Sequence, residues 1–284
     1  MRGGNPAARA GWLAAAWLPP VVFVALPLFA FLAYSFFRVE GSDVVRDLSL
    51  ANYARFFGEG VFLPVFARTC LLAAEVAAIT LLVGYPCAIW LASLDGRRKL
   101  AFTLAFAVPL LMSYIIKIYA IRAILGQQGW LNRGLMALGV IDTPIDALLF
   151  NLTAVLITLS MLLLPFTILP IFVALERIPK NLYEASADLG GTAWETFRRV
   201  VWPLSRQGAV IGASFTFVLA LGDFVTPQMV GGTSGITFGR IVYSQFGLAF
   251  NWPFGAALSV VMTVAVLAVL WLATVFGRVR GAST

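Results

Sequence analysis

Several charged side chains lie inside or at the ends of long apolar runs, where a charge is rare. They are Glu75, Lys117, Arg122 and Asp223. A charge at the bilayer centre costs about 2.5–3.5 kcal/mol on insertion scales, so each needs a partner, water or a place near the membrane surface. One interpretation is a pathway for a charged solute. The structural alternative, which stays open here, is an ion pair of Lys117 with Glu75 or with Asp223.

Asp223 is the better candidate for contact with a cation. It follows Gly222 and precedes Pro227 in a broken, polar end of an apolar run. Irregular backbone at membrane depth is tolerated mainly where it lines a cavity. The positive charge of Lys117 argues against a site that binds cations alone. Aromatic faces that attract an ammonium group are offered by Phe224, Tyr114 and Tyr119.

Catalytic and metal chemistry find little support in the residue types. The chain has no histidine and two cysteines, Cys70 and Cys87, which would lie about 25 Å apart on one helix and could not bridge. Zinc sites of the His/Cys kind and a Ser-His-Asp triad are therefore excluded. No lysine follows a glycine, so the chain has no Walker A loop. We expect no catalytic residue, no metal site and no cofactor in this chain.

The composition indicates a membrane protein. Apolar residues make up 61% of the 284 positions and charged residues only 12%, against about 25% charged in soluble domains. The net charge of +7 comes largely from basic residues at the ends of apolar runs. That placement favours membrane orientation rather than binding to nucleic acid.

The apolar runs predict an all-α integral membrane fold that forms a single transmembrane domain over residues 1–284. The first run is too long for the apolar part of a signal peptide, so we expect it to be retained as a helix. Basic residues concentrate on the side that would hold both termini, which places the termini in the cytoplasm. Six spans of about 20 apolar residues or more are expected at residues 12–37, 69–94, 100–125, 148–175, 208–230 and 256–276.

The longest loop on the side of the termini, residues 176–207, is too polar to span and predicts two short helices. The first would cover about 180–189, with Gly190 as its left-handed stop. Thr192 and Glu195 match the S/T-x-x-E capping box that starts a helix. The helix pair reads equally as an amphipathic hairpin resting on lipid or as a docking element for a cytoplasmic partner.

The sequence EASADLG at 184–190 resembles the EAA motif of type I ABC importer permeases. That family pattern reads EAA, three residues, Gly, nine residues and I-x-L-P. Glu184, Ala185, Gly190 and Pro203 match it in type and spacing. The departures are mild, and they are Ser186, Val200 and Trp202.

The resemblance implies a coupling helix that fits a groove on an ATPase subunit. It assigns ATPase coupling to Glu184, Ala185, Ser186, Leu189, Gly190 and Pro203. It further implies two cytoplasmic ATP-binding subunits that hold ATP and Mg, a second permease subunit in a heterodimer, and an external substrate-binding protein. The chain would be a multi-pass protein of the bacterial inner membrane.

A second resemblance concerns the substrate. The sequence LGDFVTPQ at 221–228 and the ILGQQG core within 119–131 are similar to permeases of spermidine/putrescine transporters. With the EAA region, the similarity covers most of the chain from about residue 69. It implies a polyamine substrate, while relatives of this type also move other small organic ions. An ion-coupled secondary transporter and a non-transporting scaffold are the competing classes.

Overall fold

The structure, a computed structural model, describes residues 12, 15–41, 43–145, 148 and 150–277. A short antiparallel hairpin follows the first helix, with β1 (Arg38–Glu40) paired to β2 (Asp43–Val45). The helices in chain order are α1 (Ala15–Tyr34), α2 (Ala51–Gly58), α3 (Phe62–Ser93), α4 (Gly96–Leu111), α5 (Tyr114–Leu125), α6 (Trp130–Ala137), α7 (Leu152–Glu176), α8 (Lys180–Asp188), α9 (Ala193–Gly222), α10 (Val225–Val230), α11 (Phe238–Gly247) and α12 (Trp252–Gly277).

The all-α membrane fold predicted from the sequence is confirmed. Among the described residues, α1, α3, α7, α9 and α12 are each long and apolar enough to cross a membrane. The bent pair of α4 with Tyr114–Ala137 brings the number of candidate spans to six if it counts as one. Helix α3 begins at Phe62, earlier than the predicted 69. Of the first predicted span, residues 13 and 14 lie outside the described part of the chain.

The third predicted span, residues 100–125, is wrong as a single helix. It is broken into α4 and α5, and the bend between α4 and the segment Tyr114–Ala137, which begins with α5, is 105°. Met112 and Ser113 carry extended backbone at the junction, with ψ of 150° and 131°. Ser113 is the N-cap residue of α5, although its side chain makes no capping hydrogen bond. The apolar sequence runs through this junction, so hydropathy alone gave no sign of the bend.

The second short helix expected in the loop 176–207 is likewise not a separate element. It is the first part of α9, which continues without interruption for 30 residues from Ala193 to Gly222. A proline inside a helix clashes with the carbonyl four residues earlier and lacks an N–H. The turn that precedes Pro203 widens into a π-helix at Phe197–Val201, which gives the ring room without ending the helix.

The chain divides into two compact units. The described residues up to Leu63, together with Val242–Thr263, form the first unit, and Pro64–Ile241 with the described residues from Val264 onward form the second. In the first unit, the buried Asn52 amide donates hydrogen bonds of 2.8 Å to the carbonyls of Ser35 and Phe37. This side chain fixes the chain as it leaves α1.

The core of the second unit lies where α7 packs against α9. Gly208 and Gly212 allow the contact: a Cβ at Gly208 would lie 2.6 Å from both the Ala174 Cβ and the Pro170 carbonyl oxygen. A Cβ at Gly212 would lie 3.0 Å from the Thr167 backbone. Small residues at this spacing are a common means of close packing between membrane helices.

Buried hydroxyl groups join α3 to the same pair of helices. The Thr167 hydroxyl of α7 donates to Thr80 of α3 at 3.1 Å and lies 2.7 Å from the Thr216 hydroxyl of α9. The Tyr85 hydroxyl of α3 also shares a hydrogen bond with Ser205 of α9. Hydrogen bonds of this kind hold membrane helices together where the hydrophobic effect does not distinguish helix from lipid.

Candidate functional site

Helix α8 carries three of the six predicted coupling residues, and all of its residues except Ser186 are exposed. No residue of α8 is buried in the described structure. Glu184 and Ala185 lie on its open surface, and Leu189, just after it, is 89% exposed. Single exposed apolar side chains are common on protein surfaces, so it is the openness of the whole segment, rather than Leu189 alone, that leaves it available for contact with another molecule or with lipid.

The turn after α8 depends on two glycines. Gly190 has a φ of 72°, the left-handed conformation that the sequence predicted for a helix stop. Gly191 was not singled out, although a Cβ there would lie 2.8 Å from both the carbonyl and the hydroxyl oxygen of Ser186. Its own N–H donates to that carbonyl at 2.9 Å. The adjacent glycine pair was the available sequence signal.

The turn leads directly into α9, which begins with the predicted capping box. The Glu195 N–H donates to the Thr192 hydroxyl at 3.3 Å, and the Thr192 N–H donates to the Glu195 carboxylate at 3.0 Å. The Ser186 hydroxyl lies 2.7 Å from the Thr196 hydroxyl and ties α8 to the first turn of α9. Ser186, predicted as a coupling residue, therefore lies inside the loop rather than on its open surface. Pro203 is half-buried within α9.

A cleft of about 820 Å³ lies beside α8. One wall comes from the end of α3 and the start of α4, and the other from α8 and the first turns of α9. Burial and the nearby charge of Glu176 raise the pKa of the Tyr183 phenol above its usual value. The charged residues that line this cleft are Asp95, Lys99, Glu176, Lys180 and Glu184.

The structure brings Asp223 and Tyr114 together at two helix breaks. Tyr114 begins α5 after the 105° bend, and its hydroxyl donates to Asp223 at 2.7 Å. The other Asp223 oxygen accepts from the N–H groups of Val225 at 2.9 Å and Thr226 at 3.3 Å, so it caps α10. The carboxylate thus has a clear structural role, and its half-buried position leaves it reachable from one side.

Lys117 is not paired with either carboxylate among the described residues. Its Nζ lies over the Tyr114 ring, 5.5 Å from the centroid, so the ion pairs considered from the sequence are wrong. The ammonium is instead stabilised by the aromatic face, a contact favoured where water is scarce. Lys117 therefore shares a neighbour with Asp223 without forming an ion pair with it.

The remaining predicted pathway residues are dispersed. Tyr119 is 57% exposed, with the Arg122 guanidinium 6.0 Å from its ring. Phe224 is half-buried between α9 and α10. Glu75 lies on the exposed stripe of α3 with Leu71 and Leu82. Exposing a carboxylate to lipid within an apolar span costs free energy. We therefore expect this stripe to face protein or water rather than lipid.

These features define a multi-pass membrane protein with broken spans and an exposed helix between its fourth and fifth spans. Residues 81–280 match the family model of the "Binding-protein-dependent transport system inner membrane component". The chain belongs to this family, and the sequence-based recognition of an ABC importer permease is confirmed.

Two permease proteins are similar in sequence to this chain over nearly its whole length. The spermidine/putrescine transport system permease protein PotB of Salmonella typhimurium (strain SL1344) is 34% identical over 268 residues, covering 93% of this chain and 90% of that protein. The inner membrane ABC transporter permease protein YdcU of Escherichia coli (strain K12) is 35% identical over 272 residues, covering 91% and 85%.

The fold is also that of a solved transporter. The crystal structure of a bacterial alginate ABC transporter, in complex with an alginate pentasaccharide-bound periplasmic protein, contains a chain that matches with a TM-score of 0.73. The match covers 95% of each chain at 16% identity, so it is a likeness of fold alone.

Proposed function

We propose that this chain is a permease subunit of an ATP-driven importer for polyamines such as spermidine and putrescine, and that it forms half of the translocation pathway. The polyamine substrate is supported by the identity of 34% with a permease named for spermidine/putrescine transport. Another small organic ion is the nearest alternative substrate.

The observation that carries the importer mechanism is the geometry of α8. It is an exposed helix held between Pro179, which has extended backbone, and the left-handed Gly190. Glu184 and Ala185 face outward on it. A rigid, open helix of this kind suits a groove on a partner, and Glu184 offers a carboxylate for a basic group there.

The proposed assembly supplies what this chain lacks. Two cytoplasmic subunits bind ATP and Mg, a second and different permease completes the pathway, and an external binding protein delivers the substrate. Both termini and α8 lie in the cytoplasm of a bacterial inner membrane. ATP-driven closure of the ATPase subunits moves α8, and the spans alternate between inward-open and outward-open arrangements.

Asp223 is the pathway residue with the strongest support. It lies where two broken spans meet, beside the ring of Tyr114, and a carboxylate with an aromatic face suits an ammonium group. Glu75 lies on an exposed stripe of α3, where the second permease or the aqueous pathway would face it. Phe224, Tyr119 and Lys117 are the further residues proposed for the pathway.

The test is purification of the tagged chain from native membranes in mild detergent, followed by reconstitution of whatever accompanies it. We expect a P-loop ATPase and a second permease to co-purify, and spermidine with its binding protein to stimulate ATP hydrolysis. Glu184→Lys should abolish that stimulation while the subunits still fold. A chain that purifies alone and takes up spermidine with an ion gradient would instead be a secondary transporter.

A further inference from the structure

One ion pair joins the base of the proposed coupling loop to the third span. The Lys99 Nζ lies 2.9 Å from the Glu176 carboxylate. Lys99 is in the first turn of α4, and Glu176 is the last residue of α7. The two residues are 77 positions apart in the chain, so this contact exists only in the folded protein.

Each of the two charges interacts unfavourably with the dipole of its own helix. A cation is unfavourable near a helix N-terminus and an anion near a C-terminus. Lys99 and Glu176 occupy these unfavourable ends and compensate each other across the gap. Arg97 and Arg98 already provide basic residues at this end of α4, so membrane orientation does not require a cation at Lys99.

The pair also belongs to a small set of contacts that hold α8. The helix buries none of its own residues, so it is fixed through its two ends. Near the end of α8, the Ser186 hydroxyl lies 2.7 Å from the Thr196 hydroxyl of α9. Before α8, Ile178 is 7% exposed and enters the core cluster formed with α3 and α7. Glu176 extends this second anchor to α4 through Lys99.

The two anchors lead into different spans. Ser186 connects α8 to α9, and Glu176 connects the segment before α8 to α4. Helix α4 ends at the 105° bend, directly before Tyr114, whose hydroxyl binds Asp223. A displacement of α4 thus reaches the junction of the two broken spans.

We propose that the Lys99–Glu176 ion pair is a positioning contact that transmits the movement of α8 into the third span. This inference rests on the proposed coupling of α8 to an ATPase. The side chains are 24% and 40% exposed, and pairs so exposed add little to folding stability. Its loss should therefore impair coupling more than it impairs folding.

The experiment is a charge exchange in the complete reconstituted complex. The variants are Lys99→Glu, Glu176→Lys and the double exchange, with Arg98→Glu as a matched control at the neighbouring exposed position. The readouts are subunit co-purification and spermidine taken up per ATP hydrolysed. We expect each single exchange to lower uptake per ATP by roughly fivefold or more, as for a typical coupling between sites. The double exchange should recover most of the loss, and the control should match the wild type.

Two results would overturn the proposal: single exchanges with normal uptake per ATP, or a double exchange no better than the single ones. If a single exchange fails to assemble, the neutral Glu176→Gln removes the pair without repulsion, and it must still lower uptake per ATP. Failure of the proposed function is distinguishable, because the wild-type complex would then lack an ATPase or show no stimulation by spermidine.

Discussion

The close packing of α7 on α9 makes Gly208→Ala a sharp test of the structure. A Cβ at this position would lie 2.6 Å from the Ala174 Cβ and from the Pro170 carbonyl oxygen, whereas carbon atoms in contact prefer about 3.5–4.0 Å. The helices must separate by about 1 Å there. Overpacking of this kind costs about 1–3 kcal/mol, which outweighs the gain of about 0.5–1 kcal/mol from replacing glycine in a helix.

A graded series of glycine substitutions along α9 isolates this effect. A Cβ at Gly212 would lie 3.0 Å from the Thr167 backbone, and one at Gly222 would meet no atom of the described residues within 4 Å. Apparent melting temperatures, followed by tryptophan fluorescence in one detergent, should rank Gly222→Ala above Gly212→Ala and Gly212→Ala above Gly208→Ala. We expect about 2–12 °C between the extremes, from about 1–3 kcal/mol of overpacking at about 2–4 °C per kcal/mol, the range for domains of about 150–250 residues. Equal melting temperatures for Gly208→Ala and Gly222→Ala would refute the packing argument.

Three further predictions follow from other parts of the chain. Thr167→Val should lower the apparent melting temperature, because it removes the hydroxyl shared with Thr216 and leaves that buried hydroxyl unsatisfied, which costs about 1–3 kcal/mol of stability. Thr167→Ser keeps the hydroxyl, so its melting temperature should lie closer to that of the wild type. Gly190→Pro should abolish spermidine-stimulated ATP hydrolysis, since proline cannot adopt the φ of 72°; stimulation at the wild-type level would contradict the role of the turn. The Arg38 guanidinium holds the pKa of Asp47 below its usual value, so the pair stabilises the hairpin at neutral pH and loses that effect as pH falls through the lowered pKa. Hydrogen exchange of the hairpin amides, corrected for intrinsic rates, should accelerate in acid for the wild type and depend less on pH in Asp47→Asn.

Local chemistry in the loop could be predicted from the sequence. The left-handed Gly190 and the Thr192–Glu195 capping box are both confirmed, because each depends on residues close together in the chain. The helix before the turn was predicted at 180–189 and is found at Lys180–Asp188. The continuation of the second helix into the fifth span was missed, and the structure shows that a π-helical turn accommodates Pro203 within α9.

Contacts between distant segments could not be predicted in this way. Lys117 had two plausible acidic partners in the sequence and contacts a tyrosine ring instead. The pairing of Tyr114 with Asp223 joins residues 109 positions apart, and it exists because two helix breaks meet. Hydropathy reports how apolar a segment is, and it is silent about the bend at Met112 and about which face of α3 carries Glu75.

The continuity of α9 has a mechanical consequence for the proposed transporter. Thirty residues make a rod of about 45 Å, and the hydrocarbon core of a bilayer is about 30 Å thick. About 15 Å of the helix then projects from the hydrocarbon on the side of Ala193, and about 30 Å lies within it. The projecting part is the short arm of a lever, and the embedded part is its long arm. If the rod pivots where it leaves the hydrocarbon, a displacement of about 2 Å at Ala193 moves Gly222 by about 4 Å in the opposite direction. One added turn in the short arm would lower this amplification and shorten the stroke delivered beside Asp223.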